Sequence, residues 1–268
     1  MYELPELEMA RAVLTEKYAG IKIAKVTVNS KVVLGKKSKM IEELMLATIW
    51  FVERRAGHLI FHLDSGKRLM ILFDQQSTIY AGEIQEPLTD KGDLVLTFVN
   101  RYVVFYGLAE HSVQLLTVRE VDQQLNIYAP DPLDKRFTIH YWKGTIAKKR
   151  CSLKSLLLDT KVVSGLGPMY SDEILFEAKM HPARKVYTLS EEEQEKLYQA
   201  MISVLKNAIS DGGSMKKPLF SNDILTGSYK DKLNVFEREG DNCNSCGHTI
   251  TQIAVAKQKC YICDSCQS

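Results

Sequence analysis

The sequence lacks any long apolar run. No stretch of its 268 residues approaches the roughly 18 consecutive apolar residues of a membrane-spanning helix. The opening MYELPELEMARAV also lacks the basic start and apolar core of a secretory signal. Internal repeats and low-complexity tracts are absent as well. We therefore expect a globular, cytoplasmic protein of about two domains, with no membrane partner.

A large excess of one charge is also missing, because 35 basic and 33 acidic residues leave a net charge of +2. The halves differ: residues 1–135 carry 16 basic and 18 acidic side chains, or −2, and residues 136–268 carry 19 and 15, or +4. The tract Lys135–Leu158 has seven basic residues, among them Lys148 and Lys149, and no acid. Aromatic and imidazole rings lie within it: Phe137, His140, Tyr141 and Trp142. Such a tract is typical of a surface that follows phosphates, although a solvated helix face has the same composition.

Apolar spacing predicts an N-terminal helix followed by a β-rich region. A helix over Glu3–Tyr18 has Pro5 in its first turn and Gly20 after its end. Seven short runs of β-branched and aromatic residues follow within Ile21–Tyr106, interrupted by a helix near Ser38–Leu46. This pattern favours an antiparallel sandwich or barrel.

Helices dominate after Ala129–Asp134, whose two prolines indicate a linker. The predicted helices are Ile146–Leu158, Pro168–Ala178 and Ser190–Ile209. The last begins with a capping box, in which the side chains of Ser190 and Glu193 satisfy each other's backbone N–H groups.

The stretch Lys161–Pro182 combines a glycine turn with a helix start. Gly165 and Gly167 break an apolar run, and Pro168 occupies a favourable first helical position. The acids of Ser171–Glu173 are expected to favour the positive end of the helix dipole. A helix that begins after two glycines can turn backbone N–H groups toward a phosphate; the alternative, an ordinary turn between packed helices, is more frequent.

Five of the six cysteines fall between residues 243 and 266. Disulfides are not expected in a reducing compartment, so this cluster indicates a metal site. Two C-x-x-C pairs separated by sixteen residues predict a tetrahedral zinc (Zn2+) site joined by a β-hairpin with strands Thr249–Ala254 and Val255–Ile262. The predicted ligands are Cys243, Cys246, Cys263 and Cys266. Cys260 forms a further C-x-x-C with Cys263 and is the alternative ligand. We favour the symmetric assignment, which leaves Cys260 free near the hairpin tip, where Lys257 and Lys259 face either phosphate or solvent.

Five motifs now occur in one order: ELPELE (Glu3–Glu8), ERRAGHLIFHL (Glu53–Leu63), KVVSGLGPMYSDEILFEAKMHPAR (Lys161–Arg184), NVFEREGDNCNSCG (Asn234–Gly247) and the closing CDSCQ. With them the chain resembles, from end to end, the family of formamidopyrimidine-DNA glycosylases and endonuclease VIII. The resemblance implies an α+β fold with three parts. These are an N-terminal helix with an antiparallel β-sandwich (1–130), a helical domain with a helix–two-turn–helix DNA clamp (131–240) and a zinc-finger β-hairpin (241–268).

The resemblance also implies site residues and partners. Glu3 matches the catalytic glutamate and Glu6 the second acid, and the predicted catalytic group is completed by Met1 and Tyr2. The predicted DNA contacts are Lys161, Gly165, Gly167 and Tyr170 in the clamp, Lys148 and Lys149 in the basic tract, and Lys257, Gln258 and Lys259 at the hairpin tip. The implied partner is double-stranded DNA with damaged bases or abasic sites, bound by a nucleoid-associated monomer.

The departures from the family fall mainly on the chemistry. In the family, removal of the initiator methionine exposes a proline whose amine attacks the sugar C1′, but here position 2 is Tyr2. A bulky second residue leaves Met1 in place, so its α-amine is displaced by one residue, or ~3.3–3.6 Å. Such a displacement exceeds what productive alignment tolerates, and it predicts weak or absent β-elimination.

Further departures affect DNA contacts of the family. Where the family has a lysine in its second motif, this chain has Gly57, and the family's Met-Ser-Gly wedge is replaced by Asp74-Gln75-Gln76. The loop that carries an arginine in the family reads GLAEHS (107–112) here. Pro168 replaces the asparagine of the glycine turn, and Gln258 replaces the arginine at the hairpin tip. Two functions follow as the main alternatives: a DNA N-glycosylase that uses Glu3, or a non-catalytic reader of damaged DNA. A zinc-stapled protein that binds RNA through the basic tract ranks third.

Overall fold

The computed structural model describes residues 2–29, 39–86 and 91–268. Within these ranges no helix has the length and apolar character needed to cross a membrane.

The chain divides into two compact units. The first comprises Met1–Asn126 and Asp211–Ser228, and the second Ile127–Ser210 and Tyr229–Ser268. The boundary between Asn126 and Ile127 lies close to the predicted boundary at residue 130. Residues 211–228, which we assigned to the helical domain, instead belong to the first unit, and the hairpin is part of the second.

The first unit is a sandwich of two antiparallel sheets, with strand orders β1-β6-β7-β5 and β2-β3-β4-β8. Its strands are β1 (Lys25–Val28), β2 (Ile49–Arg55), β3 (His58–Leu63), β4 (Arg68–Leu72), β5 (Thr78–Glu83), β6 (Leu94–Thr97), β7 (Arg101–Tyr106) and β8 (Val113–Leu116). Its described helices are α1 (Leu4–Tyr18), α2 (Lys39–Leu44) and α3 (Val118–Leu125). The predicted sandwich is confirmed. The sequence interpretation missed β8 and α3.

Helix α1 closes one side of this sandwich. Its apolar face, which includes Leu7, Leu14 and Tyr18, is buried in the core shared by both sheets. The Thr15 hydroxyl accepts a hydrogen bond from the backbone N–H of Val52 (3.1 Å) and donates one to its carbonyl (3.3 Å). One side chain thus satisfies backbone groups of edge strand β2 that would otherwise be open to pairing. The C-terminal half of α1 is thereby attached to β2.

The second unit is helical, with a two-stranded hairpin at its end. Its helices are α4 (Ile139–Ile146), α5 (Leu153–Leu157), α6 (Pro168–Glu177) and α7 (Glu191–Ser210), and its strands are β9 (Thr251–Val255) and β10 (Gln258–Ile262). Short 3-10 helices occur at Val186–Thr188 and Ser228–Lys232. The predicted capping box is confirmed, because Ser190 N–H donates to Glu193 (2.8 Å) and Glu193 N–H donates to the Ser190 hydroxyl (3.2 Å).

The predicted continuous helix Ile146–Leu158 is wrong. Helix α4 ends at Ile146, and Ser152 caps a new helix by accepting the N–H of Ser155 (3.3 Å). The residues between them leave the helical path because the Cys151 carbonyl accepts from Val186 N–H (3.1 Å). Tertiary pairing therefore overrides a favourable local helix propensity.

Two of the four rings in the basic tract lie in the core, whereas His140 is exposed and Tyr141 is half-buried. Phe137 and Trp142 are buried, and Phe137 stacks on Tyr198 of α7 with ring centroids 5.7 Å apart. The Trp142 indole donates to the Gln194 carbonyl (3.0 Å). These two rings bind α4 to α7, which corrects their predicted role beside a phosphate-binding surface.

Candidate functional site

The start of α1 holds two of the predicted catalytic acids. Glu3 is the N-cap residue of α1 and forms a capping box with Glu6, whose carboxylate accepts the Glu3 N–H at 3.0 Å. Glu3 is only 5% exposed. A carboxylate here is stabilised by the positive end of the helix dipole. Glu3 is therefore a buried carboxyl group held at the start of α1.

Glu6 accepts hydrogen bonds with both of its carboxylate oxygens. It is fully buried, and its second oxygen accepts both the N–H (2.9 Å) and the hydroxyl (3.1 Å) of Ser214. Gly213 precedes Ser214 with φ +71, and a Cβ on Gly213 would lie 3.0 Å from the same oxygen. Both oxygens of Glu6 thus hold neighbouring backbone in place. Glu6 thus positions the start of α1 and the segment at Ser214, while its predicted catalytic role stays a prediction.

Tyr2 anchors the chain immediately before Glu3. Its ring packs against the sandwich core and lies 5.6 Å from the ring of Phe73. Burial raises the pKa of Tyr2 well above its usual range, and a hydrogen bond with the backbone of Ile79 opposes the shift only in part. The phenol therefore stays neutral near pH 7 and offers no catalytic base, which corrects its predicted role. Met1 lies outside the described residues.

The glycine turn of the second unit has the expected backbone. Gly165 adopts φ +83, in the left-handed region that favours glycine, and Gly167 caps α6 with Pro168 at its first position. Lys161 is exposed beside the turn. Tyr170, in contrast, is fully buried and stacks on Tyr229 with centroids 6.0 Å apart. The ring therefore packs inside the second unit next to the turn, and the predicted DNA contact of Tyr170 stays a prediction.

A buried ion pair that the sequence interpretation missed fixes this turn. The Lys154 ammonium donates to Asp172 (2.7 Å), to the Ser171 hydroxyl (2.7 Å) and to the Pro168 carbonyl (2.8 Å). Both charged side chains are completely buried. Burial raises the pKa of Asp172 to about 6, and the facing Lys154 ammonium opposes that rise, so the carboxylate is mostly ionised at neutral pH. The burial of Lys154 could have been inferred from its position among the leucines of α5, which are buried.

Asp172 and Glu173 lie in the second turn of α6, not in the first as predicted, and they connect the helix to the hairpin. The second Asp172 oxygen accepts Tyr261 N–H from β10 (3.1 Å). The next residue, Glu173, is buried and accepts the N–H groups of Asn234 (2.8 Å), Val235 (2.9 Å) and Phe236 (2.9 Å). These acids were expected to serve the helix dipole. They instead join the glycine turn to the segment before the cysteines and to β10.

We expect Lys154→Met to lower the unfolding free energy of the second unit by about 3–5 kcal/mol, because it leaves the buried Asp172 charge uncompensated. The matched control is Lys149→Met. Its ion pair with Asp159 is 35% and 36% exposed, and its loss should cost less than ~1 kcal/mol. Urea unfolding followed by Trp142 fluorescence, in a Trp50→Phe background, measures both. Equal losses in the two variants would contradict the assigned importance of the buried pair.

Basic side chains surround Asp159 beside the glycine turn. The Lys149 ammonium lies 3.0 Å from one Asp159 oxygen, and the Lys161 N–H donates to the other at 3.0 Å. Burial opposes ionisation of Asp159, but these hydrogen bonds hold its pKa below the usual range. Lys148 is exposed and forms no ion pair with any described carboxylate. The structure thus places Lys149 next to Lys161.

The four predicted metal ligands lie together. The sulfur atoms of Cys243, Cys246, Cys263 and Cys266 are all within 4.8 Å of one another. The Cys243–Cys266 and Cys246–Cys263 sulfur distances are 3.8 and 3.4 Å, near the roughly 3.8 Å edge of a tetrahedral zinc–thiolate site. A hydrogen bond from His248 N–H lowers the pKa of the Cys246 thiol to about 6, which favours a thiolate there. The donor set fits a structural metal ion.

The hairpin turns at Ala256 and Lys257, with φ +50 and +66. The first strand therefore includes Val255, contrary to the predicted boundary. Lys257, Gln258 and Lys259 are exposed at the tip. Cys260 is not at the tip. It is buried between Val255 and Ile262, and burial raises its pKa to about 11. It lies outside the four-cysteine cluster, as expected of a free cysteine.

Comparisons with known proteins find matches for both units of this architecture. Residues 1–106 match the formamidopyrimidine-DNA glycosylase N-terminal domain, and residues 128–218 match the formamidopyrimidine-DNA glycosylase H2TH domain. Formamidopyrimidine-DNA glycosylases of Desulforamulus reducens and Cytobacillus firmus are 31% and 30% identical to the chain. The first alignment covers 100% of this chain and 99% of the relative, and the second covers both completely.

Solved structures agree with these relatives. A complex of the Lactococcus lactis enzyme with DNA containing an abasic site has a TM-score of 0.90 and 26% identity over 99% of both chains. A complex of a mutant of that enzyme with DNA containing Fapy-dG gives the same values. The sandwich, the H2TH domain and the cysteine hairpin are those of a DNA glycosylase. The chain belongs to the formamidopyrimidine-DNA glycosylase family.

Proposed function

We propose that the chain is a DNA N-glycosylase that releases a damaged base from double-stranded DNA and has little or no AP lyase activity. The proposal rests on one feature of the first unit. Glu3 is held at the N-terminus of α1, while position 2 is a packed, neutral tyrosine. The acid for hydrolysis is thus present, and the amine for strand cleavage is not where the family has it.

Glu3 acts on the sugar of the everted nucleotide. As the bond between C1′ and the base nitrogen breaks, the base takes the bonding electrons and the sugar becomes an oxocarbenium-like cation. The Glu3 carboxylate stabilises that cation and accepts a proton from the water that attacks C1′. The proton that Glu3 takes from water is passed on to the nitrogen of the departing base, so the products are a free base and an abasic strand, and Glu3 is again a carboxylate. A lyase step would instead require an amine to form a Schiff base at C1′.

We further propose that zinc occupies the four-cysteine site and that damaged or abasic duplex DNA is the partner. Four thiolates at tetrahedral spacing favour zinc over harder cations. The proposed DNA contacts are Lys148, Lys149, Lys161, Gly165, Gly167, Lys257, Gln258 and Lys259. The solved Lactococcus lactis neighbours are bound to such DNA.

A non-catalytic reader of damaged DNA is the second candidate, and the loop Asp74–Ser77 favours it. The Asp74 carboxylate accepts the N–H groups of Gln76 (2.8 Å) and Ser77 (3.0 Å), which folds the loop into a fixed polar turn. Such a turn offers amide groups for base contacts in place of an apolar wedge.

Base release separates the two candidates. Purified protein is incubated with duplexes that carry single oxidised or alkylated bases, and free bases are detected by mass spectrometry. Release from at least one lesion is expected. Tight binding to abasic duplex without any released base would support the reader and overturn the glycosylase.

Reversing the charge of Lys148 and Lys149 together, to glutamate, should weaken DNA binding equally for unrelated sequences. Phosphate contacts carry no base information, and each one lost reduces the slope of log K against log[salt] by about 0.9. Fluorescence anisotropy at several salt concentrations measures both quantities. Lys206→Glu on the exposed face of α7 is the control, and it should change neither. An unchanged slope in the double variant would assign the tract to a solvated surface.

A further inference from the structure

A short antiparallel pairing follows the basic tract. Ser152 bridges Lys185, and the flanking hydrogen bonds join Val186 N–H to the Cys151 carbonyl (3.1 Å) and Leu153 N–H to the Arg184 carbonyl (2.9 Å). Beyond this bridge Arg150 meets Tyr187, which lies in the short 3-10 helix Val186–Thr188. Lys185 comes immediately before that helix, and both Lys185 and Tyr187 are exposed, so both belong to the solvent-exposed face of this segment.

Arg150 and Tyr187 are in contact on that face. The Arg150 guanidinium carbon lies 5.6 Å from the centroid of the Tyr187 ring, within the range of a cation–π interaction. Tyr187 is 60% exposed, an unusual state for a large aromatic residue. Arg150 and Lys185 are exposed as well. The pairing therefore displays two cations and a ring to solvent.

These cations differ from the other arginines of the second unit. Arg136 is neutralised by Asp134 (2.6 Å) and Arg184 by Glu193 (2.6 Å). Another pair, Arg238 with Asp241, has its closest atoms 3.2 Å apart. No described carboxylate forms an ion pair with Arg150 or Lys185, although the chain as a whole is nearly neutral. Their positive charge is available to an external anion.

We propose that Arg150, Tyr187 and Lys185 form a phosphate contact for the DNA backbone, in addition to the glycine turn. This inference rests on the proposed binding of duplex DNA. The Tyr187 ring covers one face of the guanidinium and orients it, while the N–H edge stays free for bidentate contact with phosphate oxygens. Lys185 adds a second charge on the same face. Tyr187 acts as a positioning residue, and Arg150 touches the phosphate.

The test is a set of binding measurements on a duplex that contains a stable abasic analogue. Arg150→Gln should weaken binding roughly 3- to 10-fold, as expected for one exposed charge-assisted contact, and reduce the salt slope by about 0.9. Tyr187→Phe should match the wild type, because its ring remains. Tyr187→Ala should reproduce most of the Arg150→Gln loss, and the double variant should lose little more. Arg136→Gln, whose arginine is already paired, is the control.

Several outcomes would overturn the proposal. One such outcome is that Arg150→Gln binds the duplex as tightly as Arg136→Gln. Another is that Tyr187→Ala weakens binding without changing the salt slope. A loss larger for structured RNA than for duplex DNA would assign the face to a different partner. Thermal melting of each variant verifies folding, and Arg150→Lys, which keeps the charge without the fork, should be intermediate. Failure of the wild type to bind any duplex would remove the proposed function itself, whereas normal wild-type binding with an inert Arg150 removes this inference alone.

Discussion

Cys246→Ser is expected to release the metal and to reduce DNA binding by about 100-fold or more, while the first unit stays folded. A structural zinc ion supplies ~10–16 kcal/mol to folding in comparable zinc-finger peptides, and the two-stranded hairpin has little core of its own. The hairpin belongs to the second unit, so the sandwich should keep its stability. Metal content by mass spectrometry, anisotropy with abasic duplex and unfolding followed at Trp50 measure the three effects.

The loss of order should be confined to the end of the second unit. Gln267 donates to the Met180 carbonyl (3.0 Å) and accepts Cys263 N–H (3.0 Å), so the last residues remain tied near α6 without metal. Cys151→Ser is the matched control, because Cys151 lies outside the cluster and should leave metal content and binding unchanged. Unchanged affinity in metal-free Cys246→Ser would show that the hairpin takes no part in DNA binding.

Glu3→Gln is expected to slow base release by about 10²–10⁴-fold, the usual contribution of a general acid or base. Glutamine has nearly the same shape and can still accept a backbone N–H at the start of α1, so the fold should lose only ~0.3–1 kcal/mol of dipole stabilisation. Binding to abasic duplex should change little. Single-turnover release of the preferred base, together with anisotropy, separates the two quantities.

Glu8→Gln is the control for this variant. Glu8 lies on the same helix, and its carboxylate pairs with Arg11 (2.7 Å) and Arg54 (3.0 Å). Its loss should affect stability but not the rate of base release. If Glu3→Gln releases bases as fast as the wild type, the carboxylate is only a helix cap and the assigned chemistry is wrong.

Local signals explain why much of the fold could be predicted. The capping box at Ser190, the glycine turn before Pro168 and the two C-x-x-C pairs each depend on residues a few positions apart. The antiparallel sandwich followed from runs of β-branched residues separated by turn residues. In each case the sequence pattern and the final structure are determined by the same short stretch.

Tertiary contacts explain what could not be predicted. Lys154 belongs to an acid-free tract, and its buried partner Asp172 lies 18 positions away, where a dipole argument already accounted for the acid. Tyr170 follows the glycine turn in sequence, but its ring turns inward against Tyr229. The break between α4 and α5 depends on pairing with residues 184–186. None of these contacts leaves a periodic pattern in the sequence.

The residues of the candidate active site likewise include some whose roles could be predicted from local sequence and some whose roles could not. Glu3 could be located from its motif and its position before α1. The role of Glu6 depends on Ser214, more than two hundred residues further along the chain, and could not be predicted locally. The raised pKa of Tyr2 depends on burial of its ring, which packs against Phe73 more than seventy residues further along the chain. The structure therefore leaves Glu3 as the acid of the proposed hydrolysis.

The most direct test of this account is the product formed from one lesion-containing duplex in a single turnover. Released base, strand integrity before and after alkali, and borohydride-trapped adducts are measured in the same reaction. We predict free base, a strand that breaks only after alkali, and no trapped adduct. A strand cleaved without alkali, with an adduct that maps to Met1, would contradict the absence of lyase chemistry, and no released base from any lesion would contradict the glycosylase itself.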